Sequence, residues 1–247
     1  MMAPELNSRF ILADGSTHDP SLQMLTIAGK ALAKALSANT TLKLKELDLS
    51  GNAEGHGDKD GPGFAKEFAV GLGANAALTS LDISNNGLGA KGLGPKKAEA
   101  DISASEGDVV VYNGMQGVLG SWNSTYFGFT TMDGVKALAD AIKNNGAIEK
   151  LLMAKNGLLT EEAGKILADM LKENSTLKEL DVSDSGYGLP SSKKDGPGFA
   201  QELADGVKNN GALYSLNISD NLVPDEQAQE IDKLVRRNRL RPIMQDS

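Results

Sequence analysis

One spacing, L-x-x-L-x-L-x-x-N, occurs five times and constrains the fold more than any other feature of the chain. It reads Leu44, Leu47, Leu49, Asn52, then Leu78, Leu81, Ile83, Asn86, then Ile148, Leu151, Met153, Asn156. The fourth copy is Leu177, Leu180, Val182, with Ser185 in the Asn place, and the fifth is Leu213, Leu216, Ile218, Asn221. The alternating apolar pair fits a short strand with one buried face. The terminal Asn can bond backbone groups where the chain turns out of the strand. Apolar residues three and four apart predict helices over 29–42, 134–148 and 164–177. Further helices are predicted near 62–75, 196–210 and 224–238. Asn follows as a stop signal, and Thr160 is placed to cap the helix that begins "TEEAGKILADML". One such unit cannot bury its own apolar face, so the copies must stack on one another.

The heptapeptide "KDGPGFA" stands at 59–65 and again at 194–200. Aligned without gaps, 59–86 and 194–221 share 18 of 28 residues. The repetition therefore marks a duplicated helix–strand unit rather than a paired active-site loop. Pro62 and Pro197 sit where a first helical turn tolerates proline, and Phe64 and Phe199 begin the buried stripe. Asp58, Asp60 and Gly61 look superficially like a calcium loop, but the later acidic ligands are missing and Lys193 replaces Asp58 in the second copy.

The alternation in "LADMLKENSTLKELDVSDS" and "LADAIKNNGAIEKLLMAKNGL" resembles the ribonuclease-inhibitor type of leucine-rich repeat, over roughly residues 22–238 less an insert. That resemblance implies an α/β solenoid, a short horseshoe with parallel strands inside and helices outside. It also implies a binding scaffold, since such proteins are mostly inhibitors, sensors and GTPase-activating proteins. Successive leading residues here are 34, 70, 29 and 36 apart, against a family unit of about 28–29 residues. The 34- and 36-residue steps hold lengthened loops, "NAEGHGDKDGPG" and "SGYGLPSSKKDGPG", expected on one rim. The long step holds an insertion. The expected organisation is one domain over 1–247. Residues 1–21 form an N-terminal cap in which "RFILA" adds an edge strand. A β-rich insert spans 91–130, and 222–247 supply a capping helix and tail.

Five of the chain's aromatic residues fall in the insert: Tyr112, Trp122, Tyr126, Phe127 and Phe129. "DVVVY" and "GVLGSW" read as strands around "NGMQG", a hairpin or meander. "EGDVVVYNGMQGVLG" faintly resembles the opening of SH3-like or KOW-type small barrels, which would imply RNA. No Lys or Arg lies between Lys97 and Lys136, so phosphate contact has no charge there. Tyr112, Trp122, Tyr126 and Phe127 are either recognition anchors or the insert's own core.

On the inner face, the central outward positions of the five strands are Asp48, Asp82, Leu152, Asp181 and Asn217. Strands stack roughly 4.8 Å apart, so the aspartates should form a broken ladder that does not favour folding and that suits a basic partner. A net charge of −8 points the same way and disfavours nucleic acid or an anionic membrane. The chain has no Cys, and its two His, His18 and His56, lie far apart in polar stretches. Thiolate chemistry is thereby excluded, and neither a metal site, a cofactor nor a Ser–His–acid triad is expected. No phosphate-binding G-x-x-x-x-G-K-[ST] occurs. The GTPase-activating alternative would need an early arginine, and Arg9 is the sole one before Arg236; an enzyme with its site in the insert is a further alternative. No run of apolar residues approaches a membrane span, and no signal peptide opens the chain. The sequence thus reads as a soluble, cytoplasmic, non-catalytic protein-binding scaffold or regulatory subunit, meeting its partner through the concave face, the extended loops or the aromatic-rich insert.

Overall fold

A computed structural model describes residues 20–38, 44–52, 60–95, 109–112, 115–121, 126–186, 189 and 194–245. Its first and last thirds are built alike. Helix α1 (Pro20–Ala38), strand β1 (Glu46–Asp48), helix α2 (Gly61–Ala74) and strand β2 (Ser80–Asp82) open the fold. Helix α4 (Glu161–Glu173), strand β8 (Glu179–Asp181), helix α5 (Gly196–Asn209) and strand β9 (Ser215–Asn217) repeat that order. Between them come strands β3 (Ala90–Pro95), β4 (Val109–Tyr112), β5 (Met115–Ser121) and β6 (Tyr126–Thr130), then helix α3 (Asp133–Lys143) and strand β7 (Lys150–Leu152). Helix α6 (Asp225–Gln245) ends the described chain.

The short strands form one parallel sheet in the order β1-β2-β7-β8-β9, each rung paired with the next without slippage. Leu81, Leu151 and Leu180 point from the strands into a core that also takes Leu78, Ile83, Ile148, Met153, Leu177 and Val182. Helix residues Phe68, Leu72, Leu138, Ile142, Leu167 and Leu203 meet them from the other side. The result is the predicted α/β solenoid, in which aliphatic residues fill most of the core and Phe64, Phe68 and Phe199 add the aromatic bulk. The heptapeptide works as a helix start in both copies. Asp60 Oδ1 accepts from the Gly63 amide at 2.9 Å, and Asp195 Oδ1 from Gly198 at 2.8 Å. Asp60 is therefore engaged as a cap, which removes the calcium-loop reading of its carboxylate. The duplication also reaches helix packing. A Cβ on Gly71 would stand 2.3 Å from Ala33 Cα, and one on Gly206 would stand 2.4 Å from Ala168 Cα. The two helix pairs close at matched glycines.

Two rows of buried asparagines bind rung to rung. At the strand ends, Asn86 Nδ2 donates to the carbonyls of Leu49 (2.8 Å) and Ile83 (2.9 Å), and Asn156 Nδ2 donates to those of Ile83 and Met153 (both 2.9 Å). Their Oδ1 atoms accept backwards, Asn86 from the Asn52 amide and Asn156 from the Asn86 amide. At the helix ends, Asn145 Nδ2 donates to Leu72 and Asn75, Asn174 Nδ2 to Ile142 and Asn145, and Asn210 Nδ2 to Leu171 and Asn174. The predicted stop signals thus also satisfy the carbonyls left over by the preceding helix.

The insert is a second sheet, antiparallel, in the order β3-β6-β5-β4. The predicted hairpin is β4–β5, extended by β6 into a meander. Strand β3 adds beyond β6 although "AKGLGP" carries two Gly and a Pro. The sheet leaves the solenoid at Gly89 and returns at Thr131, whose amide donates to the Gly89 carbonyl at 3.1 Å. It therefore rises from the rim marked by the strand-end asparagines. The lengthened stretches that follow Asn52 and Ser185 start from the same rim, and most of their residues lie outside the described ones. So do "RFILA", Arg9, His18, His56 and Trp122.

Candidate binding surfaces

The inner-face row is in register. Asp48 pairs with Asp82, Asp82 with Leu152, Leu152 with Asp181 and Asp181 with Asn217. One local device holds the polar members. Asp48 Oδ1 accepts from the Ser50 amide (2.8 Å), Asp82 Oδ1 from Ser84 (2.9 Å), Asp181 Oδ1 from Ser183 (2.9 Å) and Asn217 Oδ1 from Ser219 (3.1 Å). Each side chain closes a two-residue turn at its strand end. These bonds offset the repulsion expected of stacked aspartates, and they fix one carboxylate oxygen of each residue. The Ser50 amide, then its hydroxyl, holds Asp48 below the usual carboxylate range, against a smaller opposing effect of burial. Asp181 has a second tie, because Asn217 Nδ2 donates to its Oδ2 at 3.0 Å.

The cations on this face are paired elsewhere. Lys150 Nζ lies 3.7 Å from Glu179, Lys178 Nζ 2.8 Å from Glu149 and Lys155 Nζ 4.0 Å from Asp184. The hydrogen bond that Lys178 donates to Glu149 raises the lysine's pKa. The first two pairs gather at the strand starts around a shallow hollow of about 160 Å³ that also touches Thr79, Ser80 and Tyr214; the third lies past the strand ends. Among the described residues, no Lys or Arg forms an ion pair with Asp48, Asp82 or Asp181. The third rung interrupts the row with half-buried Leu152 and Ala154. The inner face is therefore anionic along its middle line, with one apolar rung inside it.

The aromatic candidates separate. Tyr112 pairs with Met115 at the hairpin turn, while Phe127 pairs with Ser121 and Gly94, and Tyr126 with Pro95. Strand β3 begins at the solenoid, so Tyr126 and Phe127 belong to the far end of the sheet and Tyr112 to the near end. Trp122 lies outside the described residues. Met115, Leu119 and Phe129 are buried and stand outside the main core cluster. Sequence reasoning missed the aspartate turns, although the D-x-S spacing at 48–50, 82–84 and 181–183 was a readable signal.

Two arginines of helix α6 make bonds of their own. Arg237 Nη2 donates to the Lys208 carbonyl at 3.1 Å and, at longer range, to Val207 and Asn210. It closes the end of α5 where another asparagine rung would otherwise stand. Arg236 Nε reaches Asp232 at 2.8 Å.

A family model described as Leucine Rich repeat matches residues 74–95, the stretch containing the second motif. No match appears among curated proteins. Two solved structures share the architecture. The tropomodulin C-terminal domain from Caenorhabditis elegans is 10% identical with a TM-score of 0.55, covering 88% of this chain and 97% of that one. A structure titled "Leiomodin-1 Actin-Binding Site 2" is 14% identical with a TM-score of 0.53, covering 88% and 96%. At such identities the likeness concerns the fold alone. The fold is that of a leucine-rich-repeat solenoid, and neither comparison singles out the ribonuclease-inhibitor type.

Proposed function

We propose that this chain is a non-catalytic, intracellular protein-binding module whose inner strand face takes a basic segment of a partner protein. The observation that carries the reading is the row Asp48, Asp82, Asp181, in register and without an ion-paired Lys or Arg among the described residues. Leu152 sets the partner's chemistry further: basic residues on either side of an apolar one. The leiomodin domain, titled an actin-binding site, supports a binding role for a protein of this architecture, so actin is one candidate partner. The GTPase-activating alternative finds less support in the C-terminal arginines, since Arg237 and Arg236 are engaged in the bonds described above.

Affinity capture with the full chain, with D48N/D82N/D181N and with residues 95–129 deleted separates the surfaces. Asn217 already performs the turn-closing role with an amide, so the triple variant keeps its fold. The reading expects the partner to be lost with the triple variant and kept with the deletion. The opposite pattern moves the contact to the insert, and it sinks the inner-face reading.

A further inference from the structure

The sheet has an unfinished end. In an interior rung such as the fourth, the Val182 and Asp184 amides donate to Asn217 and Ser219 of the next rung, and the Lys178 carbonyl accepts from Tyr214 and Ser215. The equivalent groups of the last rung are the Ile218 and Asp220 amides and the Tyr214 carbonyl. Among the described residues none of these has a hydrogen-bond partner. Helix α6 closes the helical layer, with Ile231 and Val235 buried and Asn238 Nδ2 donating to the Leu213 carbonyl at 2.9 Å. It does not extend the strand layer. An open cleft of about 550 Å³ remains between β9 and α6. Leu216, Val235 and Leu240 supply its apolar lining, and Arg236 and Arg239 its charge, set against Asp232. Leu240 is 54% exposed. The whole second half of α6 is cationic, from Lys233 through Arg236, Arg237, Arg239 and Arg241.

We infer that this cleft binds an acidic, extended peptide segment as a sixth parallel strand. In every other rung the neighbouring strand brings an apolar-x-apolar pair to this position and takes up the edge bonds. The charge of the walls selects carboxylates for the residues flanking that pair. A second copy of this chain is a poor occupant. Its first strand follows α1, and stacking that strand on β9 would place α1 where α6 already lies. The site is independent of the aspartate row and has the opposite charge preference.

The probe is the capped nonapeptide "LKELDVSDS", residues 177–185 of this chain, which supplies the rung pattern with three carboxylates against one ammonium. It is titrated into the full chain and followed by calorimetry or fluorescence polarisation. In the solenoid, the Lys178 and Glu179 amides point to the preceding rung and the Val182 and Asp184 amides to the following one. The proposal expects N-methylation at the first pair to weaken binding about tenfold or more and methylation at the second pair to change it less than about twofold. R236E/R239E, altering two exposed side chains, should weaken binding about tenfold at low salt, while D48N/D82N/D181N leaves it intact. Equal binding of the two methylated peptides, indifference to the arginine change, or no binding of the parent peptide each overturns the proposal.

Discussion

Removing the Asn156 side chain should unfold this protein more readily than any other single amide deletion in the strand-end row. Asn156 is fully buried. Its Nδ2 holds the Ile83 and Met153 carbonyls, and its Oδ1 holds the Asn86 amide at 2.8 Å and the Leu88 amide at 3.4 Å. The Ile83 carbonyl keeps a donor in Asn86 Nδ2. The Leu88 amide loses only a long, weak contact, whereas the Met153 carbonyl and the Asn86 amide lose well-formed bonds. Two stranded buried groups at about 1–3 kcal/mol each place Asn156→Ala near 4 kcal/mol of destabilisation. Asn52→Ala is the control. Asn52 is half-buried, and its acceptor, the Leu49 carbonyl, retains Asn86 Nδ2, so its loss should cost below about 1 kcal/mol. Urea unfolding followed by circular dichroism measures both. Equal, small losses at the two positions would refute the idea that the amides tie rung to rung.

Leu222 has φ +53° and is 70% exposed, where the second and third rungs have Gly87 and Gly157. Leu222→Gly should therefore raise the urea midpoint, worth about 0.5–1 kcal/mol after the added freedom of the unfolded chain, and a lower midpoint would show that the side chain packs more than its exposure suggests. Ser185 replaces the row's amide and reaches only the Val182 carbonyl; Ser185→Asn should complete the row and add about 1 kcal/mol, whereas a loss would mean the rung is closed around serine. Asp205 is held below its usual pKa first by its hydrogen bond to Lys172, which is itself raised by that bond. A depressed carboxylate stabilises above its unfolded pKa and loses that contribution as pH falls through the folded value, while the raised Lys172 loses its share as pH rises through its own folded value, so Asp205→Asn should flatten the stability profile on the acid side and, above the lysine range, on the alkaline side, and an unchanged acid slope would refute it.

What the sequence showed and what it hid divide along one physical line. The strands, the helices and the cap at Thr160 rest on apolar period and on bonds within a few residues, and these are legible one rung at a time; the caps at Asp60 and Asp195 are equally local but were not read as caps. The asparagines after the helices were visible as stop signals, but their donation to the preceding rung spans about thirty to seventy residues and has no local trace. Strand β3 was not foreseen, because its Gly-rich, Pro-ended sequence is drawn into a strand by pairing with β6. The inner-face row could be placed on the correct side and in the correct register from period alone. Its stabilisation by Ser50, Ser84 and Ser183 was missed because the aspartates were weighed as charges and not as acceptors.

The claim that the inner face binds a basic segment is tested most directly by salt. Calorimetry with a lysine-rich peptide containing a central leucine would run from about 50 to about 300 mM NaCl, a range over which screening roughly halves the reach of an exposed charge. Three solvent-facing charge contacts are worth about 1.5 kcal/mol together, or about tenfold in affinity. The wild-type chain should lose most of that factor as salt rises. D48N/D82N/D181N should start near the high-salt value and change little. Equal affinities and equal salt slopes for the two proteins would contradict the account.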